Sequence, residues 1–340
     1  MEERKTTPLS KPTTSKEVRR WWKQATSAVK DRCSICLAQA CLNRRHSTGF
    51  YRNPDIERAV ILATSHEDTK MDYKNVQRAL SWFKISPTTS LDPLLWVLSR
   101  RMRRTRDWVV VLKGLLLFHS MILCSESTSD VNGHHPPIGR LPFDLSMFRD
   151  RSLSDEGNSW KFNTFVRAYY QFLDRRSILF QLDGGPEDDN ELGKFQRRQD
   201  LMELLMQIMP TGDGMKTPLI LEAMDCVIVE IYQIHKSINH SVNQTLMAFS
   251  SRSFPIPSYF VTVGIKEVGI LKRAKKQSSN LADYLDVCKE LGVLNANQLL
   301  TIEFQTVPEE LIKNLETLLR ESSDNDEETS QKKSAPPHQM

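Results

Sequence analysis

Apolar residues recur at helical spacing along nearly the whole chain, and no stretch alternates apolar and polar positions over the length of a strand. The most informative segment starts polar, with Arg103-Arg104-Thr105-Arg106-Asp107, and runs directly into Trp108-Val109-Val110-Val111-Leu112. Beyond Asp107 only Lys113 and His119 interrupt the apolar run before Cys124. A helix that is apolar on every face is either a central stave or a membrane span. Trp108 to Cys124 is 17 residues, at the short limit for a bilayer, and an interior lysine would be costly there. The pattern therefore predicts a buried core helix, with Thr105 as its N-cap and Asp107 complementing the helix dipole in the first turn.

The other helices follow from the same periodicity and from breakers. A first helix is expected from about Lys16 to Leu42, with Trp22, Ala25, Val29, Cys33, Cys36 and Ala40 along one stripe. Shorter ones fit 55–64, 72–84 and 92–102, the last opened by Asp92 before Pro93. Residues 125–140, with Asn132-Gly133 and Pro136-Pro137, read as a loop, followed by helices at 142–150, 159–176 and 191–209. Thr217-Pro218 opens a helix with Ile220, Met224, Val227, Ile228, Ile231 and Ile234 on one stripe, and 241–252, 256–270 and 280–290 follow. Thr306 with Glu309 makes a capping box for a last helix ending near Arg320. The expected organisation is a disordered 1–16, a helical domain over 17–320 and a short disordered acidic tail over 321–340. Short connections favour consecutive helices stacking in order, as in a solenoid.

Composition refines this picture only at a few points. With 340 residues, 39% hydrophobic and 26% charged, the chain has ample length to bury a core. The net charge of +4 is modest, but its distribution is uneven. Arginines stand at 100, 101, 103, 104 and 106, a second basic group is Lys272, Arg273, Lys275 and Lys276, and acids gather from Glu321 to Glu328. The N-terminal residues carry no apolar signal region, and six cysteines are then expected to be reduced thiols of the cytosol.

No glycine-rich phosphate loop, nucleophile elbow or His-Glu-x-x-His pattern is present, so no enzyme or cofactor is indicated. Cys33, Cys36, Cys41 and His46 resemble a zinc knuckle in spacing alone. They lie on a helical stripe without the glycine turns a knuckle uses, so small buried hydrophobes are the expected reading and no metal is assigned. The arginines at 100–106 can bind phosphate on lipid or protein, although a solvated helix end is the commoner role for such a run. Basic residues are not interleaved with aromatics, and no nucleic-acid motif occurs, so nucleic acid is not an expected partner.

The order of motifs resembles the ANTH domain of monomeric clathrin assembly proteins, of the plant type, within the ENTH/ANTH superfamily. Arg104-Thr105-Arg106-Asp107-Trp108-Val109-Val110-Val111-Leu112-Lys113 carries the resemblance most strongly. Phe143 to Phe148, Phe165 to Leu173, and Ser258-Tyr259-Phe260 leading to Glu267-Val268-Gly269 extend it. The resemblance covers about residues 17–320 and implies a right-handed α-solenoid of about ten helices, without catalytic residues or cofactor. It further implies a cytoplasmic, peripheral membrane protein of clathrin-coated pits, coated vesicles and Golgi, acting in endocytosis and coat assembly on membranes that bear phosphatidylinositol 4,5-bisphosphate.

The family's headgroup cluster reads Lys-Ala-Thr-x-His and then Lys-x-Lys/Arg-His. Here Leu62-Ala63-Thr64-Ser65-His66 and Asp72-Tyr73-Lys74-Asn75 stand in its place. His66 and Lys74 are the matching headgroup residues; Leu62, Asp72 and Asn75 depart from the pattern. At about 1 kcal/mol per basic residue, the changes lower affinity by on the order of two to three kcal/mol. Lys70, Arg58, Lys23, Lys30 and Arg32 are the local charges that remain, and Lys23, Lys30, Arg58, Lys70 and Lys74 are expected to share one face. Clathrin is implied as a partner by the resemblance alone, because no clathrin-box, Asn-Pro-Phe or Asp-Leu-Leu element follows the last helix. A vesicle SNARE is a further implied partner, with Leu246, Met247 and Phe249 as candidates for a groove, against the simpler reading that they pack internally. The alternative to an adaptor is a soluble helical scaffold that has lost lipid and clathrin binding.

Overall fold

The computed structural model describes residues 26–37, 53–67, 70–132, 138–151, 156–183, 191–251, 258–299 and 308–333. Among them there is no strand, and the protein is all-α. The helices are α1 (26–37), α2 (Pro54–Ala63), α3 (Tyr73–Ile85), α4 (Pro87–Arg104), α5 (Trp108–Asn132) and α6 (Glu156–Asp183). After them come α7 (Glu191–Met206), α8 (Pro218–Ser250), α9 (Ser258–Leu291), α10 (Leu294–Leu299) and α11 (Glu309–Lys333). The chain divides into two compact units, Met1–Arg167 with Thr217–Leu219, and Ala168–Lys216 with Ile220–Met340.

In the first unit α5 is the central stave, packed against α2, α3 and α4. Val110, Val111, Leu112, Leu115, Leu117, Phe118 and Met121 are fully buried, each removal from water stabilising by about 1.5–3 kcal/mol. The helix is long and apolar enough to cross a membrane, yet it lies inside the protein, as the embedded Lys113 suggests. Lys113 is 1% exposed, and its Nζ lies 3.3 Å from Ser65 Oγ.

The start of α5 differs from the expected Thr105 cap. Thr105 closes α4, and its hydroxyl accepts from Asp107 N at 3.2 Å. The orphan amides of α5 go instead to two carboxylates: Asp107 Oδ1 accepts from Val109 N, and Asp150 Oδ2, 42 residues away, accepts from Trp108 N, each at 2.9 Å. Trp108 stacks on Phe162 with ring centroids 4.2 Å apart.

Other boundaries move for identifiable reasons. α4 begins at Pro87 rather than at Pro93, because Pro87 is itself an N1 proline; the donor missing at Pro93 falls opposite Thr89, on an exposed turn. α5 continues past Cys124 to Asn132, since no glycine or proline intervenes. Residues 142–150 are not a helix. Asp144 Oδ1 accepts from Ser146 N in a local turn while Phe143, Leu145 and Phe148 are buried, so side-chain bonding outcompetes the helix.

In the second unit, Ile220, Met224, Val227, Ile228 and Ile231 of α8 form the predicted buried stripe. The breaks expected near 241 and between 270 and 280 are absent, and α8 and α9 run on for 33 and 34 residues. Gly292, at φ 85°, ends α9 with Gly292 N donating to Lys289 O and Val293 N to Cys288 O, a Schellman pair that the left-handed residue makes possible. α7 and α9 are tied by Gln199 Nε2 donating to Ile270 O at 3.0 Å and Gln277 Nε2 to Gln199 O at 2.8 Å. α11 extends to Lys333, past the expected end near Arg320.

Candidate functional site

The arginine run at the end of α4 enters α5 through a bend of three residues, 105–107. That bend, α1, α2 and the segment before α6 enclose a pocket of about 540 Å³ in the first unit. Six cationic side chains line it: Lys30, Arg100, Arg101, Arg104, Arg106 and Arg151. Arg151 reaches the site because its amide donates to Arg106 O at 3.0 Å.

Two carboxylates also line the pocket, and both are committed. Glu57, buried in α2, accepts from Arg100 Nη1 at 2.9 Å, and Asp107 caps α5. Arg100 also lies over the Trp96 ring, 5.3 Å from its centroid. Arg101 is held by Asp31 Oδ1 at 2.7 Å and Thr64 O at 2.6 Å, and its buried Nε–H has no acceptor. Among the described residues, Lys30, Arg104, Arg106 and Arg151 form no ion pair. The pocket is therefore a concave surface of four uncompensated cations on a framework of two neutralised ones. The other basic cluster behaves differently: Lys272 pairs with Glu316, Arg273 with Asp200 and Glu203, and Lys275 with Glu309.

Besides the arginines of the 100–106 run, the pocket takes in two of the headgroup candidates named from the sequence, Lys30 and His66. His66 is engaged, its amide donating to Asp31 Oδ2 at 2.9 Å and its Nδ1 lying 2.8 Å from Asp31 Oδ1. Burial alone would raise the Asp31 carboxyl; the donors from His66 and Arg101 outweigh it and hold that carboxyl below its ordinary range. Arg32 on α1, Arg58 on α2, Lys70 in the loop before α3 and Lys74 in its first turn are exposed and do not line the pocket. Lys23 lies outside the described residues, as do Cys41 and His46. Asp72 and Asn75, two of the departures from the family pattern, bind each other: Asp72 caps α3 by accepting from Asn75 N at 3.2 Å and from Asn75 Nδ2 at 2.6 Å. In α8, Met247 is 72% exposed, Leu246 is half-buried and Phe249 is 3% exposed.

The stripe on α1 was expected to face the core, and its described members do not. Val29 is 58% exposed and Cys33 and Cys36 are exposed free thiols; Leu37, outside that stripe but beside it, is 56% exposed. The core-facing side of α1 is instead polar, with Ser27 buried and Asp31 bound to His66 and Arg101. The ion-paired anchor at Asp31, rather than Val29, Cys33 and Cys36, takes the inner face. Arg151 carried no local signal in the sequence, and only the fold brings it beside Arg106.

The fold and the pocket define an all-helical protein with a cationic concave surface beside an exposed apolar helix face. The chain belongs to the ANTH-domain family, whose signature matches residues 55–321. Three Arabidopsis thaliana proteins, each named "putative clathrin assembly protein", are similar to it. One is 38% identical over 309 residues, 88% of this chain and 76% of that protein. A second is 35% identical over 313 residues, 88% and 76% of the two chains, and a third 35% over 315 residues, 91% and 84%.

Proposed function

We propose that the protein is a peripheral membrane adaptor of clathrin-dependent endocytosis that binds phosphoinositide headgroups through the arginine pocket at the α4–α5 bend. The observation that carries this reading is the set of four cations, Lys30, Arg104, Arg106 and Arg151, that form no ion pair among the described residues and line one pocket. Guanidinium groups bind phosphate oxygens in bidentate fashion, which suits a polyphosphorylated ring. The apolar Val29 and Leu37 beside them supply contact with the acyl boundary. In this reading the family's own headgroup positions contribute less, because His66 is bound to Asp31 and Asp72 to Asn75. The clathrin association is supported by the names of the relatives, and SNARE recognition through the exposed Met247 of α8 is the finer extension of the same role.

Sedimentation with phosphatidylcholine vesicles, with and without phosphatidylinositol 4,5-bisphosphate, tests the site. Charge reversal at Arg104 and Arg106 together is expected to weaken binding by on the order of 2 kcal/mol or more, above tenfold. Lys74→Glu is expected to cost less than half as much in free energy. Equal binding by the wild type and the Arg104→Glu/Arg106→Glu variant ends this assignment. No binding by the wild type favours the second reading, a helical scaffold for protein partners, which the Asp72–Asn75 lock already supports.

A further inference from the structure

Five cysteines fall among the described residues, and they divide sharply by environment. Cys288 is buried, Cys124 and Cys226 are half-buried, and burial pushes the thiols of Cys226 and Cys288 up to about 12. Such thiols stay protonated and inert. Cys33 and Cys36 are exposed and stand one turn apart on α1. A helix turns about 100° per residue, so Val29, Cys33, Cys36 and Leu37 fall within an arc of roughly 100°. Lys30, Cys33 and Leu37 also line the arginine pocket, so the thiol-bearing stripe adjoins the cationic surface. Asp31, on the opposite side, fixes the orientation through His66 and Arg101.

We propose that Cys33 and Cys36 are sites of reversible S-acylation by a long-chain fatty acyl group. The donor is an acyl–coenzyme A thioester, delivered by a membrane-bound acyltransferase. A cysteine thiolate attacks the thioester carbonyl, the bond from that carbon to the sulfur of coenzyme A breaks, and coenzyme A leaves as the thiol with the proton taken from the cysteine. The new thioester joins Sγ to the acyl carbonyl, and nothing is oxidised or reduced. Three features converge on this chemistry: accessible thiols, apolar neighbours on an amphipathic helix, and cations that hold that helix against an anionic leaflet. The inference rests on the membrane reading above and adds the second attachment that stable anchoring requires, since one weak signal gives only reversible binding.

The test uses the full chain expressed in eukaryotic cells. Free thiols are blocked, thioesters are cleaved with hydroxylamine, and the released thiols are captured on a thiol-reactive resin. The wild type is expected to be captured only after hydroxylamine. The Cys33→Ser/Cys36→Ser variant is expected to lose that capture, and its membrane-bound fraction to fall about tenfold. Serine at two exposed positions leaves the fold intact, which the circular dichroism of the purified variant checks. Absence of hydroxylamine-dependent capture from the wild type overturns the proposal, and so does undiminished capture from the double variant. Vesicle sedimentation of unacylated protein from bacteria reads the arginine pocket separately. If the pocket binds while capture fails, only the acylation is wrong; if neither signal appears, the membrane reading falls with it.

Discussion

Asp31 shows how one residue can decide what faces inward. It accepts from the amide and the ring of His66 and from Arg101 Nη2, all between 2.7 and 2.9 Å. Its removal leaves Arg101, only 10% exposed, without its carboxylate. Breaking a pair this buried costs about 3 kcal/mol. Asp31→Ala is therefore expected to lower the denaturant midpoint and to release α1 before the rest of the unit, which hydrogen exchange at residues 26–37 would register. Unchanged protection there would contradict this. The pH dependence has a definite sign. The folded carboxyl titrates below its ordinary range, so as pH falls the unfolded chain takes up the proton first. The contribution is complete above about pH 4 and is lost as pH drops through the lower, folded value. Acid titration of the wild type should thus release α1 while Asp31→Ala shows no such step.

At the level of elements, the α4–α5 bend is where the chain departs from its local signals. The buried faces of several helices are legible from apolar spacing: Val76, Ala79, Leu80 and Phe83 of α3 and Ile220, Met224 and Val227 of α8 are buried as the period demands, whereas the interiors of α8 and α9 run through expected breaks. Starts and stops were less legible, because the acceptor for Trp108 N is Asp150, supplied by tertiary structure, and no propensity at Thr105 announces it. The site shared that fate. The arginines at 100–106 stood in plain view, but their meaning depended on whether carboxylates would neutralise them. Lys272, Arg273 and Lys275, similar in sequence, are neutralised. Arg104 and Arg106 are not. Likewise the periodicity of α1 marks an apolar face without saying whether protein covers it, and Val29, Cys33 and Cys36 are exposed. Asp150→Ala tests the bend itself. It strips an acceptor from a buried helix amide, at a cost of about 1–2 kcal/mol, and frees the segment that carries Arg151. Thermal unfolding should show the loss, and vesicle binding should weaken alongside it.

For the molecule as a whole, a net charge of +4 over 340 residues is too small for general attraction to an anionic surface to dominate. On the proposed membrane role, binding has to come from local concentration of charge, and the pocket with its six cations, four of them without an ion pair among the described residues, is the candidate source. Local electrostatics and covalent acyl attachment respond differently to salt. Screening shortens the reach of a charge from about 10 Å at 0.1 M to about 3 Å at 1 M, whereas the burial of an acyl chain is not weakened by added salt. Protein made in bacteria, which carries no acyl group, is accordingly expected to leave anionic vesicles as salt is raised toward 1 M. Protein on the membranes of eukaryotic cells is expected to resist the same wash and to become salt-sensitive after hydroxylamine. The Cys33→Ser/Cys36→Ser variant from the same cells should wash off without hydroxylamine. Full release of the wild type by salt alone would assign the whole attachment to the arginine pocket, and retention of the bacterial protein at 1 M would shift it to the apolar face of α1.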